Sequence, residues 1–261
     1  MKRVCSWILS LALLAGTLST PALAELVPAE SAPPPVEQTE QPPAESAPQV
    51  SLLTLAPGEV VGGQCGDNLT WELAEDTGTL TISGTGAMWD YHSSGERSNA
   101  PWCAYATQLR RLVIADGVTT IGAWAFYYCG DLTGALTIPD GVTTIGQRAF
   151  NHCSGLTGNL TLPSSLTTIG EAALQGCGGL TGNLTLPSDL TAIGEAAFNG
   201  CSGLTGALTL PSGVTTIDGW AFAYCGGLTG NLAIPGGVTT IGDMHLQVAV
   251  ALQAILHFPA E

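Results

Sequence analysis

The sequence predicts a repeat solenoid with short parallel strands and one-turn helices, closed on its N-terminal side by a β-hairpin. Three observations lead there. A 24-residue period runs through five units without a gap. Leu, Ile, Phe and Cys recur in register within it. The segment just before it alternates apolar and polar residues with period two, the mark of strands.

The units are Ile114–Thr137, Ile138–Thr161, Leu162–Thr185, Leu186–Thr209 and Leu210–Ala233, and a sixth begins at Ile234 and loses the pattern after Gly242. Where the second unit meets the third, Leu160-Thr-Leu162 alternates like a strand, and Pro163 ends it for want of an N–H. Leu166-Thr-Thr-Ile169 is a second short extended piece, rich in β-branched residues. Glu171-Ala-Ala-Leu174 has helical character, but only about one turn is available before Gly176, so a 3₁₀ or short α turn is expected. Cys177 and Leu180 point inward, and Gly182 turns the chain into the next strand. No single unit can bury its own apolar residues, whereas stacked coils bury them as columns. The core columns are therefore Phe126, Phe150, Leu174, Phe198 and Phe222, beside Cys129, Cys153, Cys177, Cys201 and Cys225.

The runs IPDGVTTIGQRAFNHCSGL (138–156) and LPSDLTAIGEAAFNGCSGL (186–204) resemble the BspA-like leucine-rich repeat. The resemblance covers about 114–242 and rests on Ile-Pro, Val-Thr-x-Ile-Gly, Ala-Phe and Cys-x-x-Leu recurring in register. The usual repeat of that family is a residue shorter. The resemblance implies a leucine-rich-repeat solenoid on the surface of a host-associated microbe, with adhesion to host matrix proteins as the activity of its better-known members.

Residues 61–113 are expected to cap the repeats. Asn68–Leu73 and Thr79–Ser83 alternate around a turn, which is a hairpin. Pro101–Leu109 mimics the Ala-Phe-x-x-Cys-x-x-Leu stretch, with Cys103 in the Phe slot and Ala106 in the Cys slot, which leaves Cys65 and Cys103 outside the column. Residues 243–261 abandon the repeat. An amphipathic capping helix and a truncated coil both fit them, and the apolar stretch is too short to span a bilayer.

Residues 1–24 read as an export signal: Lys2 and Arg3, an apolar run of about a dozen residues, then Ala22-Leu-Ala24. Residues 25–60 carry many prolines and glutamates and no basic or aromatic residue, so a disordered linker is expected. The whole chain has a formal net charge of −15. Beyond Lys2 and Arg3 its basic residues are Arg97, Arg110, Arg111 and Arg148 alone. Such a chain repels phosphate backbones, so nucleic acid is not an expected partner, and membrane insertion after signal cleavage is not expected either.

No nucleophile–base pair, paired acid and base, or metal-ligand spacing can be assembled, so the sequence reads as non-enzymatic, without cofactor or metal. The cysteine column reads as small buried groups filling a narrow core. Individuality lies in the variable slots around Ala-Phe. Trp124, Tyr127 and Tyr128 sit on the first coil, Arg148 and His152 on the second, and Trp220 and Tyr224 on the fifth. These residue types are enriched at binding hot spots and also stack on sugar rings. The expected function is a secreted leucine-rich-repeat protein, at the cell surface or facing host matrix, that binds a protein partner. The alternative is a carbohydrate-binding or scaffold module serving glycan degradation.

Overall fold

In a computed structural model of the chain, whose described residues are 52–93, 97–230 and 233–242, each repeat meets the next through three hydrogen-bonded ladders. The expected export signal (1–24), the linker up to residue 51 and the C-terminal segment (243–261) lie outside the described residues.

The chain opens with β1 (Val60–Gly66), β2 (Leu69–Ala74), β3 (Thr79–Gly84) and β4 (Gly86–Ala87), followed by a 3₁₀ segment at Pro101–Gln108. Then come β5 (Arg111–Ile114), β6 (Val118–Ile121), β7 (Gly134–Thr137), β8 (Thr144–Ile145), β9 (Leu156–Thr161), β10 (Thr168–Ile169) and β11 (Leu180–Asn183). The series ends with β12 (Ala192–Ile193), β13 (Leu204–Ala207), β14 (Thr216–Ile217), β15 (Leu228–Thr229) and β16 (Thr240–Ile241).

The first ladder is the Val-Thr-x-Ile strand of each unit. These stack in parallel in the order β16-β14-β12-β10-β8-β6-β4, so Ile121, Ile145, Ile169, Ile193 and Ile217 align. The threonine hydroxyls extend it. Thr143 Oγ1 donates to the Thr119 carbonyl at 3.2 Å, and Thr167, Thr191, Thr215 and Thr239 repeat the bond one coil at a time.

The second ladder joins β15-β13-β11-β9-β7, also parallel. It begins earlier in each unit than Leu160-Thr-Leu162 suggests. The Leu-Thr-Gly stretch carries the pairing, and Gly182, expected to turn the chain, lies inside β11 at φ +88 and pairs with Leu204. Glycine tolerates that conformation without a Cβ clash, so the strand kinks without ending.

The third ladder replaces the expected one-turn helix. Between Gly122 and Cys129 alternate amides bond along the chain and across it. Ala125, Tyr127 and Cys129 donate to carbonyls three residues back, while Trp124, Phe126 and Tyr128 donate to Gln147, Ala149 and Asn151 of the next coil at 2.7–2.8 Å. Every other backbone N–H is thus spent on the neighbouring coil, which a helix would not permit.

Inside the three ladders run the side-chain columns. Phe126 and Phe150 stack at 5.1 Å and 11°, and Phe198 and Phe222 at 5.4 Å and 7°. The cysteines of all five units are buried as free thiols, and four of them donate to a carbonyl of the coil before: Cys153 to Phe126, Cys177 to Phe150, Cys201 to Leu174 and Cys225 to Phe198, at 2.9–3.1 Å.

The cap is a β1-β2-β3 antiparallel meander in which β2 and β3 form the expected hairpin, with β5 parallel to β3. Thr133 N donates to the Arg110 carbonyl at 2.7 Å, which links this sheet to the second ladder. Two expectations are corrected here. Trp102, not Cys103, continues the Phe column, stacking on Phe126 at 5.5 Å, and its indole N–H donates to the Ala125 carbonyl. Cys103 instead joins the cysteine column, its Sγ 3.7 Å from that of Cys129. The physical reason lies in the repeat itself: Trp102 stands 24 residues before Phe126, one full period, whereas aligning the segment on Leu109, 23 residues before Leu132, shifts the Phe slot by one to Cys103. The packed part also starts within the stretch read as linker. Leu55 is buried, its N–H bonds Gln108 Oε1 at 2.7 Å, and Leu53 N bonds the Ala104 carbonyl.

Candidate functional site

The backbone of the third ladder explains where the variable side chains point. Besides the Gly of Leu-Thr-Gly, two residues of the turn run in each unit adopt left-handed φ: the one before Ala-Phe or its equivalent, and the one before Cys. At the first slot stand Trp124 (φ 59), Arg148 (53), Ala172 (50), Ala196 (54) and Trp220 (62). At the second stand Tyr128 (57), His152 (58), Gly176 (76), Gly200 (78) and Tyr224 (56). Bulky residues rarely occupy this region, which costs on the order of 1–2 kcal/mol each. The coil-to-coil hydrogen bonds hold them there. The fold therefore throws these side chains outward from one ridge, and six of the seven candidate residues fall on left-handed positions.

On the first two coils they meet. Trp124 and Tyr127 pack edge to face at 4.5 Å, as do Tyr127 and Tyr128 at 4.6 Å. Tyr128 leans over His152 at 4.6 Å. The Arg148 guanidinium lies 4.7 Å over the Trp124 ring and bonds Glu171 Oε1 at 2.6 Å. Gln147 Nε2 holds the other oxygen, Oε2, at 2.7 Å. Arg97 Nη1 donates to the Tyr128 carbonyl, so a cation from the cap borders the same patch. Tyr128 is 42% exposed and His152 is exposed, while Trp124, Tyr127 and Arg148 are half-buried. Partial burial and the neighbouring Tyr128 push the Tyr127 hydroxyl pKa up, so it stays a neutral donor at physiological pH.

Trp220 and Tyr224 sit on the same ridge three coils beyond the second, roughly 14 Å along at the strand spacing, and Tyr224 is 48% exposed. Between them the slots hold Ala172, Gly176, Ala196 and Gly200, so the ridge dips. His152 leans into the dip: a Cβ on Gly176 would lie 2.7 Å from its Nδ1. The structure thus gathers Trp124, Tyr127, Tyr128, Arg148 and His152 into one patch and leaves Trp220 and Tyr224 apart.

Glu171, which anchors Arg148, belongs to the patch although its slot looked ordinary in sequence. The signal was its place one coil, 24 residues, after Gln147. A cleft of about 520 Å³ beside β5 and β7 is lined by Arg110, Arg111, Val113 and Ala135 among others. Adjacent arginines in so acidic a chain were its sequence signal. Another cleft of about 660 Å³ lies on the second ladder, between Asn159 and Asn183. No three His, Cys, Asp or Glu side chains among the described residues are grouped to hold a metal, and no helix among them is long and apolar enough to cross a membrane.

Comparison with known families finds the BspA type leucine rich repeat region in 6 copies, at residues 100–133 and 119–252. The chain belongs to the BspA-type leucine-rich repeat family. Among solved structures, this leucine-rich-repeat chain is similar to a leucine-rich repeat protein from Eubacterium ventriosum at 22% identity, over 71% of this chain and 68% of that one, with a TM-score of 0.47. It is similar to the leucine-rich repeat protein of T. pallidum at 22% identity, over 68% and 80%, with a TM-score of 0.44. A leucine-rich repeat protein from Bacteroides ovatus gives 21% identity over 69% and 56%, with a TM-score of 0.42. No curated protein matches. The first family match begins at residue 100, so it includes the 3₁₀ segment that the sequence reading assigned to the cap.

Proposed function

We propose that this protein is an exported, non-catalytic binding module. In this reading it attaches a bacterial surface to a protein partner, such as a component of host matrix, through the ridge of the first two coils. The repeat family is a protein-interaction fold and is generally non-enzymatic. The observation that carries the reading is the packing of Trp124, Tyr127, Tyr128 and His152 with Arg148 on adjacent coils. Trp, Tyr and Arg are the residue types that dominate interface energetics. Here their rotamers are already restricted by one another, which lowers the entropic cost of binding.

Mutual packing also argues against a flat sugar platform. One face of Trp124 is already covered by Arg148, and the rings meet edge to face. The test is binding of the full chain to an array of matrix proteins and glycans at physiological salt. Saturable binding to a protein, weakened at least tenfold by Trp124→Ala with Tyr128→Ala, is expected. Binding to glycans alone would replace this reading with a carbohydrate-binding one.

A further inference from the structure

The cysteine column has one break in its pattern. Cys153, Cys177, Cys201 and Cys225 each donate Sγ–H to a backbone carbonyl one coil back. Cys129 instead has the Cys103 sulfur 3.7 Å away. Both are buried to 1% exposure, and both are free thiols. They belong to different parts of the molecule. Cys103 is in the 3₁₀ segment of the cap, and Cys129 closes the turn run of the first coil.

We propose that Cys103 and Cys129 form a disulfide modification site, oxidised by exchange with small-molecule disulfides, that locks the cap onto the first coil. The two sulfurs must close from 3.7 Å to about 2.05 Å to bond. One protein thiolate attacks a sulfur of the small disulfide, forming a mixed disulfide and releasing one small thiol. The other protein thiolate then attacks the protein sulfur of that mixed disulfide and expels the second small thiol. The two cysteines lose two protons and two electrons, and the small disulfide is reduced to two thiols.

The neighbouring thiols are set against this reaction by their hydrogen bonds to carbonyls. Cys65, the other thiol of the cap, sits on β1 with its pKa pushed up to about 11 by burial. The Cys103 contact and burial together raise the pKa of Cys129, so exchange in the folded protein is slow at neutral pH and quickens as pH rises. During folding, before the cap closes, the same pair is accessible.

The test exposes the full chain to oxidised glutathione, both folded and during refolding, then unfolds it in acid and alkylates the remaining thiols. Cleavage after Arg97, Arg110, Arg111 and Arg148 puts Cys103 and Cys129 on separate peptides, each with no other cysteine. The expected product is one linked pair of these two peptides, with Cys153, Cys177, Cys201 and Cys225 alkylated. The linked protein should melt about 5 °C or more above the reduced one, as a closed loop of this length predicts. Cys65→Ala should leave the link intact, and Cys103→Ala should abolish both link and shift. Recovery of both peptides alkylated under both conditions, or of Cys103 linked to Cys65, would overturn the proposal.

Discussion

The Arg148 guanidinium carbon stands 4.7 Å from the centre of the Trp124 ring, one coil away along the ridge. The same guanidinium bonds Glu171 on the third coil at 2.6 Å. Three successive coils are thus tied through one side chain. Both partners of the ion pair are about a third exposed or more, at 35% and 40%, so its own worth is roughly 0–1 kcal/mol and falls with salt. Glu171→Gln should therefore change folding stability by less than about 1 kcal/mol, as measured by urea denaturation. Its larger effect should be on partner binding, by freeing Arg148 from its position over Trp124.

The left-handed slots predict an inversion of the usual glycine penalty. At Tyr128, φ 57, substitution by Gly should give a protein about 1 kcal/mol more stable than substitution by Ala. Gly176 and Gly200 fill this slot in the third and fourth coils. Paired denaturation curves of Tyr128→Gly and Tyr128→Ala measure the difference directly.

Gly170 is required by close approach, not by φ. A Cβ there would lie 2.6 Å from Gln147 N and 2.8 Å from Gly146 C, both backbone atoms of the preceding coil. Gly170→Ala should cost about 1–3 kcal/mol by forcing the coils apart. A lowered urea midpoint with unchanged slope is the expected result.

Phe150→Ala should cost about 3–5 kcal/mol, because the ring is fully buried and stacked on Phe126, and its removal leaves a cavity in the column. Thermal unfolding checks it. The aliphatic Leu174 continues the column in the third coil, so Phe150→Leu should cost clearly less.

The buried thiols set an alkaline limit. Burial raises the pKa values of Cys177 and Cys225 from 9.0 to about 12, and those of Cys153 and Cys201 move the same way. At pH 7 and below both folded and unfolded chains keep these thiols protonated, and stability is unaffected. Between about pH 9 and 12 the unfolded chain ionises while the folded one does not, so stability falls as pH rises through that window. Replacing Cys177 with Ala should flatten the fall, as read from urea midpoints at pH 8 and pH 10.5.

The repeat made the solenoid legible, because in-register Leu, Ile, Phe and Cys can be buried together only by stacking. The hairpin was legible for the same reason: β2 and β3 alternate cleanly. What could not be read was the backbone pairing between coils in the turn run. The turn run Gly122–Cys129 looks helical locally, and only bonds to the next coil make Trp124 and Tyr128 left-handed. Trp102 takes the Phe slot because it stands one 24-residue period before Phe126, while an alignment anchored on Leu109, 23 residues before Leu132, points to Cys103 instead. Of the site, the residue types were legible, and their assembly was not. Trp124 to His152 form one patch through the lean of each side chain onto the next coil, while Trp220 and Tyr224 share the ridge without joining it.

The most direct test of the central claim compares affinities of three proteins for the partner found on the array: the parent chain, Trp124→Ala with Tyr128→Ala, and Tyr224→Ala. If the first two coils are the binding surface, the double variant should lose at least tenfold in affinity, with Tyr224→Ala within twofold of the parent. Equal binding by all three, or a loss confined to Tyr224→Ala, would contradict it.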